Sequence, residues 1–286
     1  MLDGPLVERA HAKINLGLQV IRKRPDGYHD IETVMQTVDL ADRVTVTPQR
    51  SQIEVTCSDP VVPVDEHNLV HRVAQMLRDR YEINRGVRID IQKQIPVAAG
   101  LAGGSGNGAV TLLALNRLWE LELAPGELLS LAAELGSDVA FLASGTPAAI
   151  CRGRGEEVDP VERPLGLSAV IARPESGLSA AEVFRHCRVV DTPRGAQPLV
   201  DRLFSGRLAA ASRLLHNSLQ PTAEALNPEV TKLLNILARQ PVLGPLMTGS
   251  GTACFGLCTT HRLARRIAAR LRAQGVDQVH AVQLGV

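Results

Sequence analysis

The sequence predicts a chain of mixed strand and helix in two successive parts, and three observations predict it. Residues 10–20 alternate apolar and polar side chains with a period of two. Residues 87–119 pass from a strand-like stretch through a glycine-rich segment into an apolar helix. From about residue 165 the chain starts afresh with a strand, 168–172, followed by a loop and several helices.

The chain is long enough for a substantial core in one large or two modest domains, with 286 residues. Its 31 basic and 30 acidic residues leave a net charge of +1, which implies no general affinity for nucleic acid or membrane. No N-terminal apolar core and no apolar run near the ~18–20 residues of a membrane span occurs. Five cysteines, at 57, 151, 187, 254 and 258, include no CxxC pair. They read as reduced thiols in a cytoplasmic protein rather than a disulfide framework or a metal site.

The first strand places Ala10, Ala12, Ile14, Leu16, Leu18 and Val20 on one face and His11, Lys13, Asn15, Gly17 and Gln19 on the other. Such alternation predicts a half-buried strand. Its polar face suits either solvent or the lining of a cleft. Arg24-Pro25-Asp26-Gly27 is a turn signal. Short strands are expected at 31–38, 43–47 and 53–57. A helix is expected over 65–80, with Leu69, Val73, Met76 and Leu77 on its apolar face. His67 and His71 lie four apart there, but without the glutamate of HExxH they read as solvated histidines.

Residues 96–109 read Pro-Val-Ala-Ala-Gly-Leu-Ala-Gly-Gly-Ser-Gly-Asn-Gly-Ala. Small residues let a backbone approach an anion, and a helix start offers unpaired N–H groups and a positive dipole end. Strand, small-residue loop and helix together form the layout of a phosphate cradle. A tight turn with close helix packing is the plainer alternative. Gly106 and Gly108 fall where the first turn of a helix over 110–119 should be. They cost roughly 1 kcal/mol each relative to alanine, which a ligand would offset. Neither GxxxxGK[ST] nor a GxGxxG at the strand–helix junction is present, so this is not a Walker loop or a dinucleotide fingerprint.

Beyond it, 125–135 reads as a helix with Pro125 near N1 and Gly136 near its end. Gly136-Ser137-Asp138 precedes the apolar stretch 139–142, making Asp138 either a cap or a functional carboxylate. Further helices are expected at 198–215, 229–239 and 261–274. The last carries Arg262, Arg265, Arg266, Arg270 and Arg272 opposite an apolar stripe, which reads as a solvated basic face.

In order, Ala12-Lys13-Ile14-Asn15-Leu16, Asp26-Gly27-Tyr28-His29, Asn68-Leu69, Ile95-Pro96 with the glycine-rich loop, Leu135-Gly136-Ser137-Asp138-Val139 and Thr248-Gly249-Ser250-Gly251 form a series. It resembles the GHMP kinase superfamily. Within it the likeness is to the branch that phosphorylates 4-diphosphocytidyl-2-C-methyl-D-erythritol in the non-mevalonate route to isoprenoids. The likeness spans about residues 8–255. It implies an α+β, two-domain GHMP kinase fold, with an N-terminal ribosomal-protein-S5-like domain over 1–160 and a C-terminal ferredoxin-like domain over 161–286.

The resemblance further implies transfer of the γ-phosphoryl group of ATP to the substrate's 2-hydroxyl. Asp138 would accept the proton, and Lys13 beside it would favour the ionised carboxylate and stabilise the developing alkoxide. Pro96, Gly100, Leu101, Ala102, Gly103, Gly104, Ser105, Gly106 and Asn107 would hold the ATP phosphates, with Mg2+ bridging them and no protein metal site. Asn68 and Lys93 would face the nucleotide. Asn15, Tyr28, His29 and Phe184 would face the substrate, with Tyr28 and Phe184 enclosing the cytosine and His29 reading its edge. The expected partner is a small molecule with a cytidylyl group, not nucleic acid or membrane, and the protein would be a monomer or homodimer.

Two other readings are a GHMP kinase for another small alcohol, of homoserine or mevalonate type, and a non-catalytic nucleotide-binding relative. The family loop runs close to Pro-x-Gly-Ala-Gly-Leu-Gly-Gly-Gly-Ser-Ser-Asp/Asn-Ala-Ala. Here Ala98 and Ala102 replace glycines, Gly106 replaces the second serine and Gly108 replaces alanine. Positive φ at either alanine would strain the loop.

Overall fold

The computed structural model describes residues 4–161, 166–189 and 192–286. In chain order the elements are β1 (Leu6–Lys23), β2 (His29–Gln49), β3 (Ile53–Cys57), α1 (Leu69–Arg80), β4 (Gly86–Gln92), α2 (Gly103–Leu118), α3 (Pro125–Leu135), α4 (Ser137–Ala143), β5 (Ala148–Arg152) and β6 (Glu157–Pro160). There follow β7 (Ser168–Arg173), α5 (Ala180–His186), α6 (Gln197–Phe204), α7 (Leu208–Ser212), β8 (His216–Asn217), α8 (Gln220–Leu226), α9 (Pro228–Ala238), β9 (Leu243–Met247), β10 (Cys254–Cys258), α10 (His261–Ala273) and β11 (Gln278–Gln283).

By compactness the chain divides into two units. The first takes the residues up to Ala12, Leu40–Val97 and Ala102–Gly145; the second takes Lys13–Asp39, Ala98–Leu101 and everything from Thr146 on. The chain passes between them at 12/13, 39/40, 97/98, 101/102 and 145/146. Compactness therefore cuts the chain at other places than the stretches 1–160 and 161–286 do.

In the first unit the far half of β2 pairs antiparallel with β4, from Arg43↔Gln92 to Gln49↔Gly86, and β3 runs parallel along the other edge of β4. Val87, Ile89 and Ile91 of β4 are buried, as their alternation requires. The strands expected at 31–38 and 43–47 are one continuous β2. Asp39 and Asp42 interrupt its apolar pattern, yet each carboxylate accepts backbone N–H groups: Asp39 from Gln283, and Asp42 from Gln94 and Ile95. Among the helices, α1 packs on α2, and α4 packs on both α2 and α3.

Two helix starts differ from expectation. Helix α1 begins at Leu69, not 65, because Asn68 caps it: its Oδ1 accepts from Val70 N at 3.1 Å, and its Nδ2 donates to Pro63 O at 2.6 Å. Helix α2 begins at Gly103, so Gly106 and Gly108 lie inside it. A Cβ at Gly106 would stand 3.0 Å from the His11 carbonyl oxygen, and one at Gly108 would stand 2.9 Å from the Leu69 side chain. Close packing on β1 and α1 is by itself a reason for glycine at these two positions.

In the second unit the near half of β2 pairs with β5 from Thr33↔Cys151 to Gln36↔Ala148, β5 turns into β6, and β1 pairs parallel with β8. A separate antiparallel sheet has the order β11-β7-β10-β9. Its core joins Val170 and Ala172 to Leu233 and Leu237 of α9 and to Ile267 and Leu271 of α10. Arg262, Arg265 and Arg266 of α10 are exposed, as expected of its polar face.

The alternation in β1 misleads in one respect. Every residue from 12 to 20 is buried, including Lys13, Asn15 and Gln19. Both faces of this stretch are covered, and the polar face is hydrogen-bonded inside the protein instead of solvated. The helix expected over 198–215 is broken into α6 and α7 at Ser205-Gly206, where Gly206 takes a φ of 67°.

Candidate functional site

In the first unit the glycine-rich residues lead into the start of α2. Ala102, just before it, takes a left-handed φ of 59°, and its side chain makes no cap. The first closing bond of the helix runs from Gly106 N to Ala102 O at 2.8 Å. The N–H groups of Gly103, Gly104 and Ser105 precede that bond, at the positive end of a helix of 16 residues. A Cβ at Gly104 would meet nothing within 4 Å, so this backbone is open to a bulky partner. Asn107 is buried, and its Oδ1 has no hydrogen-bond partner among the described residues.

Lys93 lies close to the same turn: a Cβ at Gly103 would stand 3.0 Å from its ammonium nitrogen. The ammonium is paired with the Asp42 carboxylate, and both side chains are buried. Asp42 Oδ1 accepts from Gln94 N at 2.7 Å and Ile95 N at 2.8 Å, so the carboxylate also fixes the chain leading into the loop. Removing one member of such a pair typically costs about 3–5 kcal/mol. Asn68 spends its amide on the cap of α1 and on Pro63. Pro96 is half-buried. Asp138 is half-buried in the first turn of α4, one residue beyond Ser137, where the helix dipole favours a carboxylate. Gly136, not Asp138, is the cap residue.

In the second unit Lys13 is buried at 3 % exposure, and its ammonium donates to Asn15 Oδ1 at 2.9 Å and to the Gly100 carbonyl at 3.1 Å. Asn15 in turn donates from Nδ2 to Thr33 Oγ1 at 2.8 Å, and the Thr33 hydroxyl donates to Gly17 O at 2.7 Å. Asn15 N donates to Thr248 Oγ1 at 2.9 Å. The Lys13 amide donates to the carbonyl of buried Leu101 at 3.1 Å. A buried ammonium in so polar a network is desolvated but compensated.

Residues 98–101 also belong to this unit. Gly100 has a φ of 76°, and a Cβ there would come within 2.5 Å of the Thr248 carbonyl oxygen. Ala98, like Ala102, is left-handed, with a φ of 54°. Both alanines thus carry the strain that their replacement of glycine foreshadowed, roughly 1–2 kcal/mol each.

On the expected substrate side, the His29 and Phe184 rings stand 5.6 Å apart at 32°. Burial, then the Lys23 charge, holds the His29 imidazole below its ordinary pKa. Tyr28 is 57 % exposed, and the Arg154 guanidinium lies over its ring, 5.2 Å from the centroid. No ring contact joins Tyr28 to Phe184 among the described residues. Sequence reasoning missed Arg154, although the glycines at 153 and 155 stood out as punctuation. It also missed Asp42, Thr33, Asn217 and the hydroxyl of Thr248.

Comparison with known proteins gives a consistent picture. Residues 68–153 match the GHMP kinases N terminal domain, and 199–277 match the GHMP kinases C terminal domain. A 4-diphosphocytidyl-2-C-methyl-D-erythritol kinase from Geobacillus sp. (strain WCH70) is 41 % identical over 281 residues, covering 98 % of this chain and 96 % of its own. One from Bacillus subtilis (strain 168) is 40 % identical over 282 residues with the same coverage. A crystal structure of 4-(cytidine 5'-diphospho)-2C-methyl-D-erythritol kinase superposes with a TM-score of 0.83 at 35 % identity, covering 98 % of this chain and 100 % of that one. The α+β GHMP fold follows. No helix among the described residues is long and apolar enough to cross a membrane.

Proposed function

The chain belongs to the 4-diphosphocytidyl-2-C-methyl-D-erythritol kinases of the GHMP superfamily, and from that premise we propose how its residues divide the work of phosphoryl transfer. The enzyme moves the γ-phosphoryl group of ATP to the 2-hydroxyl of 4-diphosphocytidyl-2-C-methyl-D-erythritol, a step of the non-mevalonate isoprenoid route. Such a transfer needs alignment, charge neutralisation and a proton acceptor more than covalent chemistry.

Asp138 takes the proton of the attacking hydroxyl, and Lys13 stabilises the alkoxide as it develops. The N–H groups at the start of α2 hold the nucleotide phosphates, with Lys93 and Asn68 on the nucleotide side. Ser105 and Asn107, whose Oδ1 has no hydrogen-bond partner among the described residues, carry oxygen donors of the kind a hard cation prefers. They would meet Mg2+ carried by the phosphates, whose charge the ion neutralises. Asn15, Tyr28, His29 and Phe184 select the cytidylyl substrate. The five free cysteines are consistent with action in the cytoplasm.

The observation that supports this reading most is the burial of Lys13 with its ammonium fixed between Asn15 and Gly100. Asp138→Asn should lower kcat about a thousandfold, the usual scale for losing a general base, while nucleotide binding by calorimetry stays within a fewfold. Wild-type turnover in that variant would remove Asp138 from the mechanism. An ADP-release assay offering the cytidylyl substrate, homoserine and mevalonate in parallel should respond to the first alone.

A further inference from the structure

We propose that Asn217 is a positioning residue that holds the Lys13 ammonium in place through the turn at Thr248-Gly249. This inference rests on the reading of Lys13 as the group that acts on the reacting hydroxyl.

The Lys13 ammonium donates to Asn15 Oδ1 and Gly100 O, and both acceptors lean on one turn. Asn15 N donates to Thr248 Oγ1 at 2.9 Å, and the Thr248 hydroxyl donates to Asn15 Oδ1 at 3.3 Å. On the Gly100 side, Ala253 N donates to Ala99 O at 3.0 Å, and the Thr248 carbonyl is close enough to exclude any Cβ from Gly100. The turn also approaches the ammonium itself: a Cβ at Gly249 would stand 3.4 Å from Lys13 Nζ. Gly249 and Gly251 both take positive φ, at 57° and 91°. A stretch so rich in glycine does not define its own conformation.

Asn217 supplies the definition. Its Nδ2 donates to Met247 O at 2.8 Å and to Gly249 O at 2.7 Å, bracketing Thr248 from both sides. Its Oδ1 accepts from Leu219 N at 3.0 Å, so the amide is spent in all three directions, and the residue is buried. Asn217 is itself registered on the strand that carries Lys13. It pairs with Leu18 of β1, Ser218 N donates to Leu18 O at 2.9 Å, and Val20 N donates to Ser218 Oγ at 2.9 Å. The path from β1 through Asn217 and the turn returns to Lys13 on β1, a closed loop of hydrogen bonds inside one compact unit. Removing the amide strands two buried carbonyls and frees the turn to move. The chemical step, not substrate capture, then suffers.

The test is kcat for Asn217→Ala on two backgrounds, wild type and Lys13→Met, with KM for both substrates and thermal unfolding alongside. On the wild-type background kcat should fall about ten- to a hundredfold, the scale of a displacement near 1 Å at the reacting groups, with both KM values within about threefold. On the residual activity of Lys13→Met the same change should cost less than about twofold, since no ammonium remains to be positioned. Should Asn217→Ala fail to fold, Asn217→Ser is measured in its place against the same outcomes. Equal losses on the two backgrounds, or a loss confined to melting temperature, would overturn the inference and leave the Lys13 assignment standing. An undiminished kcat in Lys13→Met would overturn the assignment first and the inference with it.

Discussion

Around Gly103 and Gly104 the first unit offers backbone: N–H groups at a helix start with no side-chain cap, and open space where a Cβ would be. Around His29 and Phe184 the second unit offers rings, stacked at an angle, with Tyr28 exposed beneath a guanidinium. Backbone can bind a feature common to every nucleoside triphosphate, the phosphate chain. Rings and an imidazole edge can distinguish one base from another. On the division of work proposed above, the difference teaches that the generic part of recognition falls to small residues and the selective part to scarce large ones. Only seven of the 286 residues are Phe, Trp or Tyr, so the placement of any of them carries weight.

The largest effect that would break this comparison lies at Gly100. Gly100→Ala sets a Cβ within 2.5 Å of a carbonyl oxygen at a φ of 76°. It should lower unfolding stability by about 3 kcal/mol in urea titrations. Gly104→Ala, with open space around it, should leave stability within about half a kcal/mol and instead raise KM for ATP. Equal behaviour of the two would show that the loop's glycines do not divide between conformation and ligand access.

Next in size is the aromatic corner. Phe184→Ala should raise KM for the cytidylyl substrate about tenfold, in keeping with about 1–1.5 kcal/mol for a ring pair, with KM for ATP unchanged. An unmoved substrate KM would take selectivity away from this corner.

A smaller effect follows from His29. Its folded-state pKa is depressed by burial and then by Lys23. Its neutral form therefore contributes stability above the ordinary value of about 6.5, and that contribution is lost as pH falls through the folded value. KM for the substrate should rise a fewfold on acidification below that point while KM for ATP stays flat. Parallel rises would point away from the imidazole. The smallest effect is at the two left-handed alanines. Ala98→Gly with Ala102→Gly relieves backbone strain but adds freedom to the unfolded chain, for a net gain of about half a kcal/mol in denaturant unfolding. A net loss would mean the alanine methyl groups contribute packing that outweighs the strain.

Much of this was legible in the residues, and what was not has physical reasons. The segment from β4 into α2 is continuous in sequence, so small residues between two periodic stretches announce it. Helix α3 was placed at its true ends because Pro125 and Gly136 are strong punctuation. The burial of β1 on both faces was not legible, since alternation of apolar and polar residues ordinarily marks one wet face, and here the polar face is covered by partners such as Thr248, 233 positions away from Asn15. Thr33, Asn217 and Thr248 are small polar residues without distinctive chemistry, and only the tertiary fold gives them meaning. Asp42 was hidden in the same way, as an acid in the middle of a strand.

Neither compact unit is a contiguous piece of polypeptide, because the backbone changes sides five times. Severing the gene at any one codon would leave fragments that each lack strands the other holds, so a half-length product should be captured by proteases instead of persisting as a working module.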